Sequence, residues 1–211
     1  MTAVSVGVRV TGLGKRYGET VVFEGLNFAA EDGRVTALRG PNGSGKSTLL
    51  GCLAGSIPVD GGTVEVDGRA ADLSSSAHWR WVYGVLDDFS WLPDLTVTDH
   101  LVLLSAEADP GAARSALAAF GVTEIGDRLP ASLSSGQRQR GALATLLVRR
   151  WRVLLLDEPE MHLDGDGVQR LARVLSGVAT PGRCVVVSTH SEDLLRRLDA
   201  TVVGFPPTRA G

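Results

Sequence analysis

Nine residues, GPNGSGKST at positions 40–48, constrain this chain more than any other stretch. Two glycines separated by four residues, then Lys and a hydroxyl, have the spacing of a loop that wraps phosphate in backbone N–H groups. The surroundings fit, because residues 34–39 read as a short apolar strand and residues 46–53 as a helix. A strand feeding a Gly-rich loop that opens a helix brings free N–H donors and the positive end of the helix dipole to one point. The expected ligand is a nucleotide polyphosphate, contacted by Gly40, Pro41, Asn42, Gly43, Ser44, Gly45, Lys46, Ser47 and Thr48. Lys46 places a charge between the terminal phosphates and the Ser47 hydroxyl faces Mg²⁺. In a chain with 26 Gly a Gly-rich turn alone means little, but Lys15 and Lys46 are its only two lysines, so a Lys at this position argues for phosphate.

At 211 residues there is room for one large domain with lobes and a well-buried core. The apolar fraction of 44% is that of a soluble globular protein, and a net charge of −3 offers no electrostatic footprint for nucleic acid, so no nucleic-acid partner is expected. Cys52 and Cys184 lie in apolar stretches and are expected to be buried thiols, which suits a cytoplasmic compartment. The start MTAVSVGVRV lacks the charged head and long apolar segment of a leader, and no run of about 18 apolar residues occurs. A membrane span, if one is needed, is expected from a partner.

Val4, Val6, Val8 and Val10 alternate with small or polar residues, the period of a half-buried strand, and residues 26–30 read as a second strand ending at the Glu31-Asp32-Gly33 turn. Between them stands Tyr17, whose ring can stack on a base or simply pack on this antiparallel flap. Residues 63–66 add a strand between turn signals at Asp60-Gly61-Gly62 and Asp67-Gly68. Residues 69–76 read as a polar loop and residues 81–86 as a short apolar strand. DDFSWLPDLTV, residues 87–97, carries Phe89, Trp91, Leu92 and Pro93 among acids without a period that buries them on one face. Either it leaves apolar surface for a partner or it tucks its aromatics into the core. Thr98 is placed to cap a helix with Leu101, Leu103 and Leu104, and Pro110 to begin another ending at Gly121.

LSSGQ, residues 133–137, then opens a long helical pattern, a second small-residue loop at a helix N-terminus, which reads as an anion site or as a simple Ser cap. Residues 153–156 form a continuous apolar run typical of a strand buried on both faces, and it ends in Asp157-Glu158. In parallel sheets ligand chemistry gathers at the carboxyl ends of strands. There Asp157 can hold Mg²⁺ through water and Glu158 can orient and polarise an attacking water. Residues 184–187 repeat the pattern and end in Ser188-Thr189-His190, so His190 reaches the same rim, where it can donate to a γ-phosphate. A helix capped by Ser191, an edge strand over residues 201–205 and a loose Pro-rich tail complete the chain.

With these pieces in order the sequence resembles, over almost its full length, the nucleotide-binding subunit of ATP-binding-cassette (ABC) transporters. GPNGSGKST is similar to that family's Walker A loop, VLLLDE to its Walker B strand and LSSGQ to its signature sequence; His190 stands at the switch position and Asp164 at the end of the D-loop. The resemblance implies an α/β fold: a P-loop core, an N-terminal antiparallel β subdomain and an inserted α-helical subdomain, all within one domain over residues 1–211, with the helical part at about 76–150. It implies ATP and Mg²⁺ as ligands and Tyr17 as the base-stacking aromatic. It implies an ATP-dependent dimer, in which Ser134, Ser135 and Gly136 cover the partner's nucleotide. It also implies a transmembrane permease subunit that holds the pair at the cytoplasmic face of the membrane.

Three positions depart from the family pattern. Asp87 stands where Gln is usual, keeping an oxygen for Mg²⁺ or water but adding charge; Ser135 stands where Gly is commoner; Met161-His162-Leu163 replaces small residues in the D-loop. The expected function is ATP hydrolysis powering transport. The alternative is a nucleotide-gated regulatory or non-transport ABC ATPase of low turnover.

Overall fold

The structure is a computed structural model that describes residues 6–86 and 89–205. Val4, Asp87 and the Pro-rich tail after Phe205 therefore lie outside the described residues.

Two sheets carry the fold. β1 (Val6–Tyr17) and β2 (Thr20–Glu31) form a long antiparallel hairpin, extended on the far side of β1 by β4 (Gly61–Val66) and the two-residue β5 (Arg69–Ala70). The alternation at Val8 and Val10 is realised as burial, but both strands run well beyond the apolar stretches that mark them in sequence. Tyr17 pairs with Thr20 across a two-residue turn in which Gly18 has φ +58, so the hairpin closes at the tightest length its twist favours. β5, in a stretch read as loop, is the return arm of the Asp67-Gly68 turn.

The second sheet is parallel, in the order β6 (Val82–Val85), β7 (Val153–Asp157), β8 (Cys184–Ser188), β3 (Val35–Arg39), β9 (Thr201–Gly204). β6 realises the short apolar strand read over residues 81–86; although it falls within the 76–150 stretch assigned to the helical part, it pairs in parallel with β7 and so belongs to this sheet. Alternate residues feed two cores. Leu154, Leu156, Val185 and Val187 face the helices, whereas Val153, Leu155, Cys184 and Val186 face α1 (Lys46–Ala54) and the antiparallel sheet. Both cysteines are free and buried, and burial pushes the Cys52 thiol up to about 11 and the Cys184 thiol up to about 12.

The helical part comprises α2 (Val97–Leu104), α3 (Pro110–Ala119) and α4 (Ser135–Val148); α5 (Gly165–Val178) and α6 (Glu192–Leu198) complete the set. Thr96, not Thr98, caps α2. Its hydroxyl accepts from the Asp99 N–H while the Asp99 carboxylate accepts from the Thr96 N–H, a reciprocal closure that Thr98, already inside the first turn, cannot make.

In the described part of the aromatic stretch, residues 89–96, packing holds at Trp91. Its ring lies 4.6 Å from Phe89 and 4.9 Å from buried His100, and against Gly141 of α4, while Leu92 stays half exposed. His100 pins the loop, accepting from the Leu92 N–H at 2.7 Å and bonding the Thr96 carbonyl at 2.8 Å.

Candidate active site

Register decides where the chemistry sits. Leu38 of β3 and Asp157 of β7 both lie level with Ser188 of β8, so these three central strands end at one rim. The residues after each end are the phosphate loop, Glu158 and His190.

Glycine is required in the phosphate loop for reasons visible in the packing. A Cβ at Gly40 would sit 2.9 Å from the Phe205 carbonyl, and one at Gly45, where φ is +97, would sit 2.6 Å from the Val22 side chain. Val22 belongs to the hairpin whose tip carries Tyr17, so this contact also brings the flap alongside the loop. Lys46 is buried. Its ammonium donates to the carbonyls of Gly40 at 2.9 Å and Pro41 at 3.0 Å and lies 3.1 Å from His190 Nε2. The Ser44 hydroxyl is buried without a hydrogen-bond partner, a polar atom that an arriving phosphate oxygen would satisfy. Ser47 is exposed at the start of α1.

Across the rim, the Ser188 hydroxyl donates to Asp157 Oδ1, and the Glu158 N–H bonds both the Ser188 carbonyl at 3.0 Å and its hydroxyl at 3.2 Å. Glu158 holds φ at +43, an uncommon conformation for a residue with a side chain. Its carboxylate stands 3.3 Å from His190 Nε2. That nitrogen accepts from Lys46 when unprotonated and donates to Glu158 when protonated, so His190 links the two charges through its tautomer. Glu160 accepts from the Thr189 hydroxyl, which in turn accepts from the Ser191 N–H at 3.0 Å.

Ser47 and Asp157 offer hard oxygen donors, the type that suits Mg²⁺. Among the described residues no group of three or more His, Cys, Asp or Glu is arranged to hold a metal ion.

Tyr17 is 52% exposed, with the Lys15 ammonium 5.1 Å from its ring centroid. Lys15 itself is buried, 3.6 Å from Asp60, whose other oxygen accepts from the Arg16 N–H at 2.6 Å.

The signature residues are placed apart from this cluster. Ser134 caps α4 in a reciprocal closure with Gln137, Ser134 and Ser135 are exposed, and none of the hydrogen bonds of Ser134, Ser135 or Gly136 reaches the phosphate loop. Gly136 instead approaches the segment after Glu158: a Cβ there would lie 2.9 Å from the His162 carbonyl. Asp164 accepts from the Gly167 N–H at 2.8 Å to cap α5 and pairs with Arg140; the cap bond first, then the guanidinium, hold its carboxyl below the usual range. Sequence reasoning missed Ser188, Glu160, Lys15, Gln139 and Arg140 as parts of the site's framework. Only the position of Ser188 at a strand end was a signal for any of them.

Comparison with known proteins identifies the family. A family model described as ABC transporter matches residues 23–161. The cytochrome c biogenesis ATP-binding export protein CcmA of Ruegeria pomeroyi is 35% identical over 201 residues, covering 95% of this chain and 92% of that one. The aliphatic sulfonates import ATP-binding protein SsuB 2 of Agrobacterium fabrum is 34% identical over 204 residues, covering 96% and 77%. This chain spans 66% to 92% of the length of the first curated relatives it matches. Among solved structures, the dimeric post-hydrolysis state of the ATP-binding cassette MJ0796 bound to ADP and Pi superimposes with a TM-score of 0.80 at 23% identity, over 97% of this chain and all of that one, and so shares its fold. On a family match over most of its length, the chain belongs to the ABC transporter family of ATP-binding ATPases.

Proposed function

We propose that this chain binds Mg·ATP at the rim, hydrolyses it as a head-to-tail dimer, and thereby powers transport through a separate membrane subunit. The observation that carries the reading is the meeting of Lys46, His190 and Glu158 within 3.1 and 3.3 Å at the ends of three parallel strands. ATP would stack its base on Tyr17 and lay its phosphates along residues 40–48, where Lys46 exchanges two carbonyl partners for phosphate oxygens. Ser47 and Asp157 would hold Mg²⁺, which supplies charge neutralisation on the β- and γ-phosphates when bound. Glu158 takes the proton of a water as its oxygen attacks the γ-phosphorus and the bond to the bridging oxygen breaks, leaving ADP and phosphate. His190 donates to the γ-phosphate. Asp87 would add an oxygen near the metal.

Ser134, Ser135 and Gly136 would cover the nucleotide of a second copy, giving two equivalent sites by two-fold symmetry. ATP holds the copies together and hydrolysis releases them, and that alternation would move the membrane subunit. Described helices include none long and apolar enough to cross a membrane; in this reading the span belongs to that subunit, with the chain at the cytoplasmic face. A cleft of about 430 Å³ lined in part by half-exposed Trp79, Leu86, Phe89 and Arg149 is the docking place this reading assigns to it.

The test is Glu158→Gln. It should bind ATP as the parent does, turn over at least about a hundredfold more slowly, and accumulate an ATP-bound dimer in sedimentation. Unchanged turnover would remove Glu158 from this role.

A further inference from the structure

The segment from Glu158 to Asp164 is a compact double turn held in an uncommon shape. Glu158 and His162 both adopt left-handed backbone conformations, at φ +43 and +63, without being glycine. Such residues persist only where their surroundings over-determine them. The Met161 N–H bonds the Glu158 carbonyl at 3.0 Å and the Leu163 N–H bonds the Glu160 carbonyl at 3.1 Å, closing the turns on themselves. On the inner side Ser188 and Thr189 fasten the segment to the end of β8. On the outer side the fastenings come from α4: Gln139 Nε2 donates to the Pro159 carbonyl at 3.0 Å, and the Arg140 guanidinium pairs with Asp164 at 2.5 Å. The Arg140 side chain is only 17% exposed, so its guanidinium is held in place by packing, whereas Asp164 is 68% exposed and meets it from the solvent side.

We infer that Gln139 and Arg140 are positioning residues for the Glu158 carboxylate, holding the left-handed turn from outside as Ser188 holds it from inside. This rests on the assignment of Glu158 to water activation. Neither side chain touches nucleotide in that assignment, so releasing them should slow the chemical step without loosening ATP.

The experiment is steady-state ATPase kinetics with thermal melts on the full chain, comparing the parent, Glu158→Gln, Arg140→Met, Arg140→Lys, Gln139→Leu and Asp164→Asn. Asp164→Asn retains an oxygen for the Gly167 N–H and loses only the charge. Arg140→Met and Gln139→Leu should each lower kcat by about tenfold and leave KM for ATP within about twofold. Arg140→Lys should recover most of the rate, and Arg140→Met combined with Asp164→Asn should be no slower than the slower single variant. The inference is overturned if kcat stays within twofold of the parent in both Arg140→Met and Gln139→Leu, if KM rises in step with the loss, or if the Arg140 and Asp164 effects multiply. Should Arg140→Met melt early, Asp164→Asn decides alone: a lowered kcat supports the inference and an unchanged one overturns it. Turnover that survives Glu158→Gln would show instead that the underlying assignment of Glu158 has failed.

Discussion

The rim of the parallel sheet and the signature turn at the start of α4 are both small-residue structures at helix entrances, and they are held in opposite ways. At the rim each functional group is tied to another element: Lys46 to its own loop and to His190, Asp157 and Glu158 to Ser188, Glu160 to Thr189. At the signature, the Ser134 side chain is tied only to Gln137 within its own first turn, and Ser134 and Ser135 face solvent. The capping closure makes that turn stiff and occupies the Ser134 hydroxyl and N–H, while the Ser135 side chain faces solvent. On the proposed reading, the phosphate half of a nucleotide site is tied into the fold of one copy, and the signature half is presented outward for a second copy.

The sharpest way to break that contrast is Ser135→Glu. Ser135 is the first residue of α4, where a carboxylate is favourable to the helix dipole, so the melting temperature should hold or rise slightly. ATP binding by the separate chain should be unchanged. If this turn faces a second copy's γ-phosphate, the added charge should abolish ATP-driven dimerisation and lower turnover by about a hundredfold or more. Full turnover in this variant, measured beside sedimentation with ATP, would mean that the exposed turn is only a helix cap.

A second contrast lies within the aromatic loop and has a smaller expected effect. Trp91 packs on His100 and α4, whereas Leu92 beside it is half exposed and Phe89 lines the cleft near Trp79. Trp91→Ala should therefore cost about 2 kcal/mol of stability through the cavity left behind, less than a fully buried Trp would. Leu92→Ala should melt with the parent. Equal melting temperatures for both would return Trp91 to the surface, and loss of the membrane partner in Trp91→Ala would then report docking, not folding.

What was legible beforehand follows the same division. The phosphate loop, the acids ending β7 and the histidine after β8 each announce themselves because one strand–loop unit contains all the residues involved, and the parallel register then brings the units together. The fold class was legible for the same reason. The supports were not, because each is a pairing of distant segments: Gln139 with Pro159, Arg140 with Asp164 and Glu160 with Thr189 join residues that no local pattern connects. Trp91 was ambiguous since its burial depends on His100 of a different element. The cap of α2 was misplaced by two residues because Thr96 and Thr98 are both competent hydroxyls, and only the carboxylate of Asp99 selects the first.

The smallest expected effect concerns the two lysines, which differ in what they serve. By sequence Lys15 looks like a neutral control for Lys46. In the fold it is as buried as Lys46, and its ammonium lies between Asp60 and the ring of Tyr17. A cation on one face of that ring holds it in place and leaves the opposite face for a base, and Asp60, 3.6 Å away, fixes where the cation sits. Lys15→Met retains the buried stem and removes the charge, so the packing of the hairpin should survive. ATP affinity, titrated with a fluorescent analogue, should weaken by about 0.5–1 kcal/mol, the size of an exposed cation–π contact, or two- to fivefold. Lys46→Ala should weaken it far more, because Lys46 would meet the phosphates themselves. Lys15→Ala is expected to combine the affinity loss with a lower melting temperature, since it empties the stem's space and leaves the Asp60 carboxylate without its cation. An affinity unchanged in Lys15→Met would confine Lys15 to the flap's packing and detach Tyr17 from its influence. An equal loss in Lys15→Met and Lys46→Ala would undo the distinction between a residue that steadies the base platform and one that meets the phosphates.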